Sequence, residues 1–369
     1  MKKMFLLAAA ALVAFASCSK SDVEKADEAK AIGFNSYTGR AVTKADASLF
    51  IPGAGSGTTD LLDNTHFGVY AYATEGAAFD GSNTSNVFMR NVDVEYKGGG
   101  ASDETKYVYS PYKYWPNDEE HNKLTFFAYY PYNNACITNK PANGWGAYTF
   151  TAQTDPADMV DFMISEVAAD QVYSTTNSGT PGVVQMHFHH ALSMVKFKVN
   201  TDEDYSLQST VIKLRSLKVA AIKKTGKLTP QIASPFATWD NLDGATTFTI
   251  FEDLTTAFAS LNPTLTKTAV TFPTQFENDD AYLMIPQELG NEVLVTVVYD
   301  VKSGDDAIVR NTKEFKLNLA VKHGTSTPIT SWAMNQNTVY TFTIGLKKIQ
   351  FIADVTKWDS ETAGDYLIQ

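Results

Sequence analysis

Short apolar-rich runs separated by polar turn residues cover most of the chain from residue 31 onward, and in runs such as 31–38 and 349–356 the two kinds alternate. Val, Ile, Thr, Tyr and Phe fill these runs, and Gly, Pro, Asn and Asp bound them. No long segment carries apolar residues at the 3.6-residue spacing of a helix. The pattern predicts strands over 31–38, 67–73, 87–96, 124–130, 147–152 and 159–165. It predicts further strands over 183–200, 210–221, 246–251, 269–272, 282–285, 293–301, 308–319, 338–346 and 349–356. Many short strands with turn signals between them and no helices predict an all-β chain, built as sandwiches or barrels. The run 293–301 (VLVTVVYDV) is apolar on both faces, which predicts an inner strand covered on each side.

Two stretches break the pattern. Residues 39–64 are rich in Gly, Ala, Ser and Thr and contain Pro52, the composition of an exposed loop. Residues 174–182 (STTNSGTPG) have the composition of an interdomain joint. Cutting there leaves an N-terminal domain over 31–180 and a C-terminal domain over 181–369. The length of 369 residues fits two domains.

Charge narrows the functional classes. With 30 Lys+Arg against 41 Asp+Glu the net charge is −11, and no basic stripe is present, which argues against nucleic acid as a partner. The two cysteines, Cys18 and Cys136, are too few for a disulfide scaffold or a structural zinc site.

The N-terminus reads as an address. Lys2 and Lys3 precede an apolar run of about a dozen residues, too short to span a bilayer and suited to a secretory signal. It ends Ala14-Phe15-Ala16-Ser17-Cys18, which resembles a bacterial lipoprotein signal whose cleavage leaves Cys18 as a lipidated N-terminus. The alternative is an ordinary signal peptide that happens to contain a cysteine. Residues 19–30 (SKSDVEKADEAK) are charged and aperiodic, a flexible tether.

Candidate chemistry is sparse. No nucleophile elbow, zinc-protease, P-loop or dinucleotide motif occurs, so neither an enzyme nor a cofactor is expected. In His187-Phe188-His189-His190, a strand would put His187 and His189 on one face, as a metal pair requires. Without a further ligand cluster nearby, the favoured reading is one histidine in the core and the others at a strand edge, with no metal. Cys136 reads as a structural thiol. The carboxylate runs Asp118-Glu119-Glu120, Asp202-Glu203-Asp204 and Asp279-Asp280 lie in turn-like segments and read as solvated charge. The aromatics of 107–132 offer either a sugar-stacking platform or the core and rim of a sandwich, and the core reading is preferred.

An ordered set of short motifs carries a family resemblance. The lipoprotein start is followed by Ile32-Gly33-Phe34, then Thr38-Gly39-Arg40-Ala41-Val42-Thr43-Lys44-Ala45 and Phe67-Gly68-Val69-Tyr70-Ala71-Tyr72. Next come Tyr114-Trp115-Pro116 and Leu124-Thr125-Phe126-Phe127-Ala128-Tyr129-Tyr130-Pro131. The second half adds Phe188-His189-His190-Ala191-Leu192-Ser193-Met194-Val195-Lys196-Phe197-Lys198-Val199, Tyr282-Leu283-Met284-Ile285-Pro286-Gln287, Tyr340-Thr341-Phe342-Thr343-Ile344 and Val355-Thr356-Lys357-Trp358. In this order the chain resembles the fimbrillin-like family, subunits of type V pili in Bacteroidota.

The resemblance implies two tandem transthyretin-like β-sandwich domains, the second beginning near Val183. It also implies a lipoprotein precursor held in the outer membrane by its lipid. An Arg-specific protease would then trim it at the cell surface, and it would join other pilus subunits in a fimbrium that contributes to adhesion. Cleavage is expected between Arg40 and Ala41, with Lys44 as the second candidate; the alternative is that Arg40 is an uncut surface residue. Ile32 and Phe34 share one face of the strand before that cut, so its departure would open an apolar groove with unpaired amides. The incoming donor is expected from the C-terminal end, at Tyr366, Leu367 and Ile368. That end could equally close its own sheet, so shaft and tip positions both stay open. The rival function is a monomeric surface lipoprotein that binds glycan through the 107–132 aromatics.

Overall fold

Period-two burial is plain in the strand Val183–His190, where half-buried and buried side chains alternate along its whole length. The same logic builds nearly every element. The computed structural model describes residues 31–38, 65–97, 107–117, 123–173, 182–272, 281–346 and 349–357. Cys18, the tether 19–30, Arg40, Ala41, Lys44, Tyr366, Leu367 and Ile368 lie outside these residues, as do the acidic runs at 118–120 and 279–280.

Among the described residues twenty strands are present in chain order. The first ten are β1 (Gly33–Thr38), β2 (Thr65–Ala73), β3 (Val87–Tyr96), β4 (Tyr107–Val108), β5 (Leu124–Tyr130), β6 (Ile137–Thr138), β7 (Tyr148–Thr151), β8 (Met163–Ser165), β9 (Ala168–Gln171) and β10 (Val183–His190). They continue as β11 (Ser193–Thr201), β12 (Thr210–Pro230), β13 (Ala237–Glu252), β14 (Val270–Phe272), β15 (Tyr282–Met284), β16 (Leu294–Ser303), β17 (Val309–Lys316), β18 (Val321–Lys322), β19 (Gln336–Ile344) and β20 (Ile349–Lys357). The only helices among the described residues are short 3₁₀ turns.

Three sheets result. The first runs β1-β10-β8-β5-β2-β3-β4, with β9 on β5. The second runs β14-β11-β19-β20-β18, with β15 on β11. The third runs β17-β16-β12-β7-β6, with β13 on β12. The first sheet rolls until its two ends meet: the Ser36 hydroxyl on β1 lies 2.7 Å from the Tyr107 hydroxyl on β4. Inside the roll, Ile32, Phe34, Phe67, Val69, Phe126 and Phe188 form one core. The opposite faces of β2 and β5 supply Tyr70, Tyr72, Phe127 and Tyr129 to a second core shared with the other two sheets. That double duty explains why β5 is buried at every residue.

Several expectations change in detail. The stretch 183–200 is two strands, separated at Ala191-Leu192. β10 ladders with β1 and β8, so residues 183–190 complete the first sheet, although the reading from composition put them after a boundary at 181. The chain crosses between sheets earlier too, because β6 and β7 pair into the third sheet through β12. β16 is an inner strand between β12 and β17, but Val295, Val297 and Tyr299 face the core while Leu294, Thr296 and Val298 are half-buried, so burial is deep on one face only. β12 and β13 extend far beyond 210–221 and 246–251 into a long hairpin whose apex, residues 231–236, reaches the first sheet.

Candidate functional site

β1 is where the rolled sheet closes. Phe34 on β1 and Ile32 just before it point inward, at 5% and 1% exposure. The Phe34 ring packs edge-on against Tyr109 at 5.5 Å and Phe126 at 5.9 Å. Burying two such side chains contributes roughly 1.5–3 kcal/mol each. Along one side β1 pairs in parallel with β10, from Gly33 opposite Val183 to Thr38 opposite Phe188. Gly33 suits this approach, since a Cβ there would come within 2.9 Å of Val183 Cγ2.

Along the other side β1 has no full ladder among the described residues. The Ile32 amide donates to the Lys113 carbonyl at 2.9 Å, Ala31 bridges to Tyr114, and the Tyr109 hydroxyl donates to the Ile32 carbonyl at 2.8 Å. Burial pushes the Tyr109 phenol up to about 12, against the pull of its hydrogen bond with the Lys113 backbone, so it stays a neutral donor. Trp115 Nε1 donates to the Gly182 carbonyl at 2.9 Å and fixes the start of β10. β1 is therefore a seam strand, laddered on one edge and tacked on the other. Its last residue, Thr38, lies two positions before Arg40.

The histidine run divides between the two faces of β10. His189 and His187 are half-buried on the outer face. His189 Nε2 lies 2.8 Å from Glu166 Oε1, and His187 Nδ1 lies 3.8 Å from Glu166 Oε2. The His189 ring also stacks on Phe236, at 4.6 Å between centroids and 17° between planes. Burial holds the His187 imidazole below its ordinary value, with Glu166 pulling upward and His189 pushing further down. On the inner face His190 Nδ1 meets Asp161 Oδ2 at 2.8 Å, with the two side chains 1% and 0% exposed. Among the described residues no group of three or more His, Cys, Asp or Glu is placed to hold a metal ion. Glu166, which lies near both outer histidines, is already hydrogen-bonded to His189.

The aromatic stretch is mostly interior. Tyr107, Tyr109, Trp115, Phe126, Phe127, Tyr129 and Tyr130 are buried, and only Tyr112 and Tyr114 stand out as exposed large side chains there. A broad sugar platform is therefore not built by these residues. Cys136 is buried and accepts a contact from Gln153 Nε2 at 3.3 Å. Asp202, Glu203 and Asp204 are exposed at a turn, where Asp204 caps the 3₁₀ helix Tyr205–Gln208 and hydrogen bonds from Ser206 hold its carboxyl below the usual range.

At the other end of the chain β20 sits inside its own sheet. It pairs antiparallel with β19 over nine residues and in parallel with β18 at Ile352 and Ala353. Sequence reasoning singled out Ile32 and Phe34 but missed their seam partners Tyr107, Tyr109 and Lys113. The two tyrosines are spaced by two, the one local sign that both face the same core.

A family model described as fimbrillin-like matches residues 54–358. Fimbrium subunit Fim1C of Phocaeicola vulgatus is 30% identical over 229 residues, which is 57% of this chain. That alignment spans 55% of the relative's own length. The crystal structure of a fimbrial protein from Bacteroides vulgatus superposes with a TM-score of 0.64 at 22% identity, over 89% of this chain and 99% of that one, a likeness of fold.

Proposed function

The chain belongs to the fimbrillin-like family, and from that premise we propose that it is a structural pilus subunit, of shaft or tip, assembled by exchanging its first strand. The precursor is exported as a lipoprotein on Cys18 and anchored in the outer membrane. An Arg-specific protease then cuts between Arg40 and Ala41, or after Lys44. β1 leaves, and a strand from another pilus subunit takes its place beside β10 in the fimbrium, the β-augmentation mode. On the giving side, the C-terminal residues Tyr366, Leu367 and Ile368 are the proposed donor. They follow β20, which is occupied in its own sheet.

One observation carries this reading: the strand just ahead of Arg40 is the seam of the rolled sheet, laddered on one side only while filling the core with Ile32 and Phe34. Its loss exposes two apolar pockets and a row of β10 amides. Each ladder hydrogen bond regained adds about 0.5–1.5 kcal/mol net. An incoming extended strand with two inward apolar side chains restores both terms.

The test is trypsin treatment of the purified precursor, with Arg40→Ala and Arg40→Ala/Lys44→Ala variants beside it. The wild type should lose the segment up to Arg40, stay otherwise folded and form ladders resistant to detergent; Arg40→Ala should still be cut after Lys44, whereas the double variant should keep β1 and stay monomeric, trimmed at most within the tether at Lys20, Lys25 or Lys30. Removing Tyr366 to Gln369 should shorten the ladders if that segment is the donor. A cleanly trimmed wild type that remains monomeric and takes up no strand refutes the reading.

A further inference from the structure

The reading above leaves β10 in a precarious position once β1 has gone. Residues 183–187 ladder with β1 and, among the described residues, with no other strand. The ladder to β8 covers Phe188, His189 and His190 alone, extended by one bond from the Glu166 amide to the His187 carbonyl at 2.7 Å. An edge strand held over so few residues frays. The exchange needs it to persist as a straight template.

The far end of β10 is tied unusually densely. Outward, the His189 ring lies between the Phe236 ring and the Glu166 carboxylate. Inward, the next residue, His190, meets Asp161 in the core. The residue after that, Ala191, accepts a hydrogen bond on its carbonyl from Trp239 Nε1 at 2.7 Å and donates its amide to the Phe162 carbonyl at 2.8 Å. Three consecutive residues are thus bound to five separate side chains or backbone groups. Two of these, Phe236 and Trp239, come from the apex region of the β12–β13 hairpin, which spans from the second half of the molecule to reach this point.

We propose that the hairpin apex and the His189–His190 pair act as a clamp that holds β10 in strand geometry while the β1 place is empty, so that the groove is preformed for the incoming strand. His189, His190, Phe236 and Trp239 are positioning residues: none of them touches β1's inward side chains in the ring contacts or hydrogen bonds described above. The clamp gives the histidine run a role other than metal binding. It also ties the acceptor groove in the first sheet to an element of the third. The inference rests on β1 leaving after the cut at Arg40.

A labelled synthetic peptide of residues 31–40 provides the probe. Full-length protein is nicked with trypsin, and uptake of the peptide is followed for wild type, Phe236→Ala and Trp239→Phe. The Phe236→Ala change should weaken uptake by roughly 2- to 12-fold, the range expected for losing one aromatic stack. Hydrogen exchange at the amides of residues 184–188 should speed up in the nicked variant and stay near wild type in the uncut one. A merely structural contact would move both forms alike. Should Phe236→Ala not fold, Trp239→Phe removes the N–H donated to the Ala191 carbonyl, together with part of the ring that packs on Phe150 and Phe162, and carries the same comparison, with Phe236→Tyr expected to behave as wild type. Equal uptake and equal exchange in wild type and variants overturn the clamp. A nicked wild type that takes up no peptide at all refutes strand exchange itself, a separate outcome.

Discussion

The first and last described strands make the sharpest contrast in the molecule. β1 buries Ile32 and Phe34 as deeply as any core strand, yet it is laddered over six residues on one side and tacked by a few bonds on the other. β20 lies between two neighbours, with nine antiparallel residues on β19, a parallel contact with β18 and a bond from the His323 amide to the Ala353 carbonyl at 2.9 Å. Its Phe351 ring stacks on Phe342 at 4.5 Å and 10°. Apolar burial does not separate the two strands; the number of laddered edges does. A seam strand can be released along one edge, whereas an inner strand must break two ladders together. Antiparallel pairing is also slightly stronger per residue than the parallel pairing of β1.

The largest effect should come from a charge placed in β20, set against the same charge placed in β1. Ala353 is fully buried, so Ala353→Asp strands a carboxylate in the core and should cost more than about 4 kcal/mol in urea unfolding. Ser36→Asp occupies a half-buried seam position beside Tyr107 and should cost about 1 kcal/mol. Equal costs would mean that β1 is held as firmly as β20. Next in size, Phe34→Ala should destabilise the uncut protein by about 3–5 kcal/mol. The same change should have no effect on protein nicked at Arg40 and emptied of β1. Smaller still, Tyr109→Phe removes the hydroxyl that donates to the Ile32 carbonyl and should cost about 0.5–1.5 kcal/mol in the uncut form, and less in the emptied form, where its contacts with the Lys113 backbone remain.

Much of this contrast was legible in the residues, and the gaps have physical causes. Period-two alternation identifies which face Ile32 and Phe34 share, but alternation names faces rather than partners, so the parallel pairing with β10 could not be read from it. The break within 183–200 was visible in principle. Buried positions run Val184, Met186, Phe188, His190, then every residue from Ala191 to Val195, then Phe197 and Val199, so the alternation leaves the even positions and returns on the odd ones, a change of phase that one continuous strand cannot make. The β12–β13 arm was invisible beyond its core-facing parts. On β13 from Thr238 to Thr247 every side chain is exposed or half-buried, so no apolar pattern was imposed on it. Glu166, Asp161 and Phe236 meet the histidine run across gaps of more than twenty residues, which no local spacing encodes.

The smallest effect tests the seam by pH. His187 stands opposite Tyr37 in the β1–β10 register, so loss of β1 is expected to expose it further. Burial is the main reason its imidazole lies below the ordinary value, with Glu166 opposing and His189 adding to the depression. Below the unperturbed value of about 6.5 the unfolded chain takes up a proton at this ring that the folded chain refuses. The stability from neutral His187 is therefore complete above about pH 6.5, declines as the pH falls toward the folded value, and levels off beneath it. Emptying the β1 place uncovers the ring and moves its value back up, so mild acid should favour release of β1. His187→Gln should abolish that slope. Urea midpoints of wild type and His187→Gln, taken between about pH 5 and 8 in uncut and emptied protein, give the comparison. A wild-type-minus-variant difference that grows as pH falls in the uncut form and flattens in the emptied form fits a seam closed over His187. A difference that is the same in both forms means that β1 does not cover the ring.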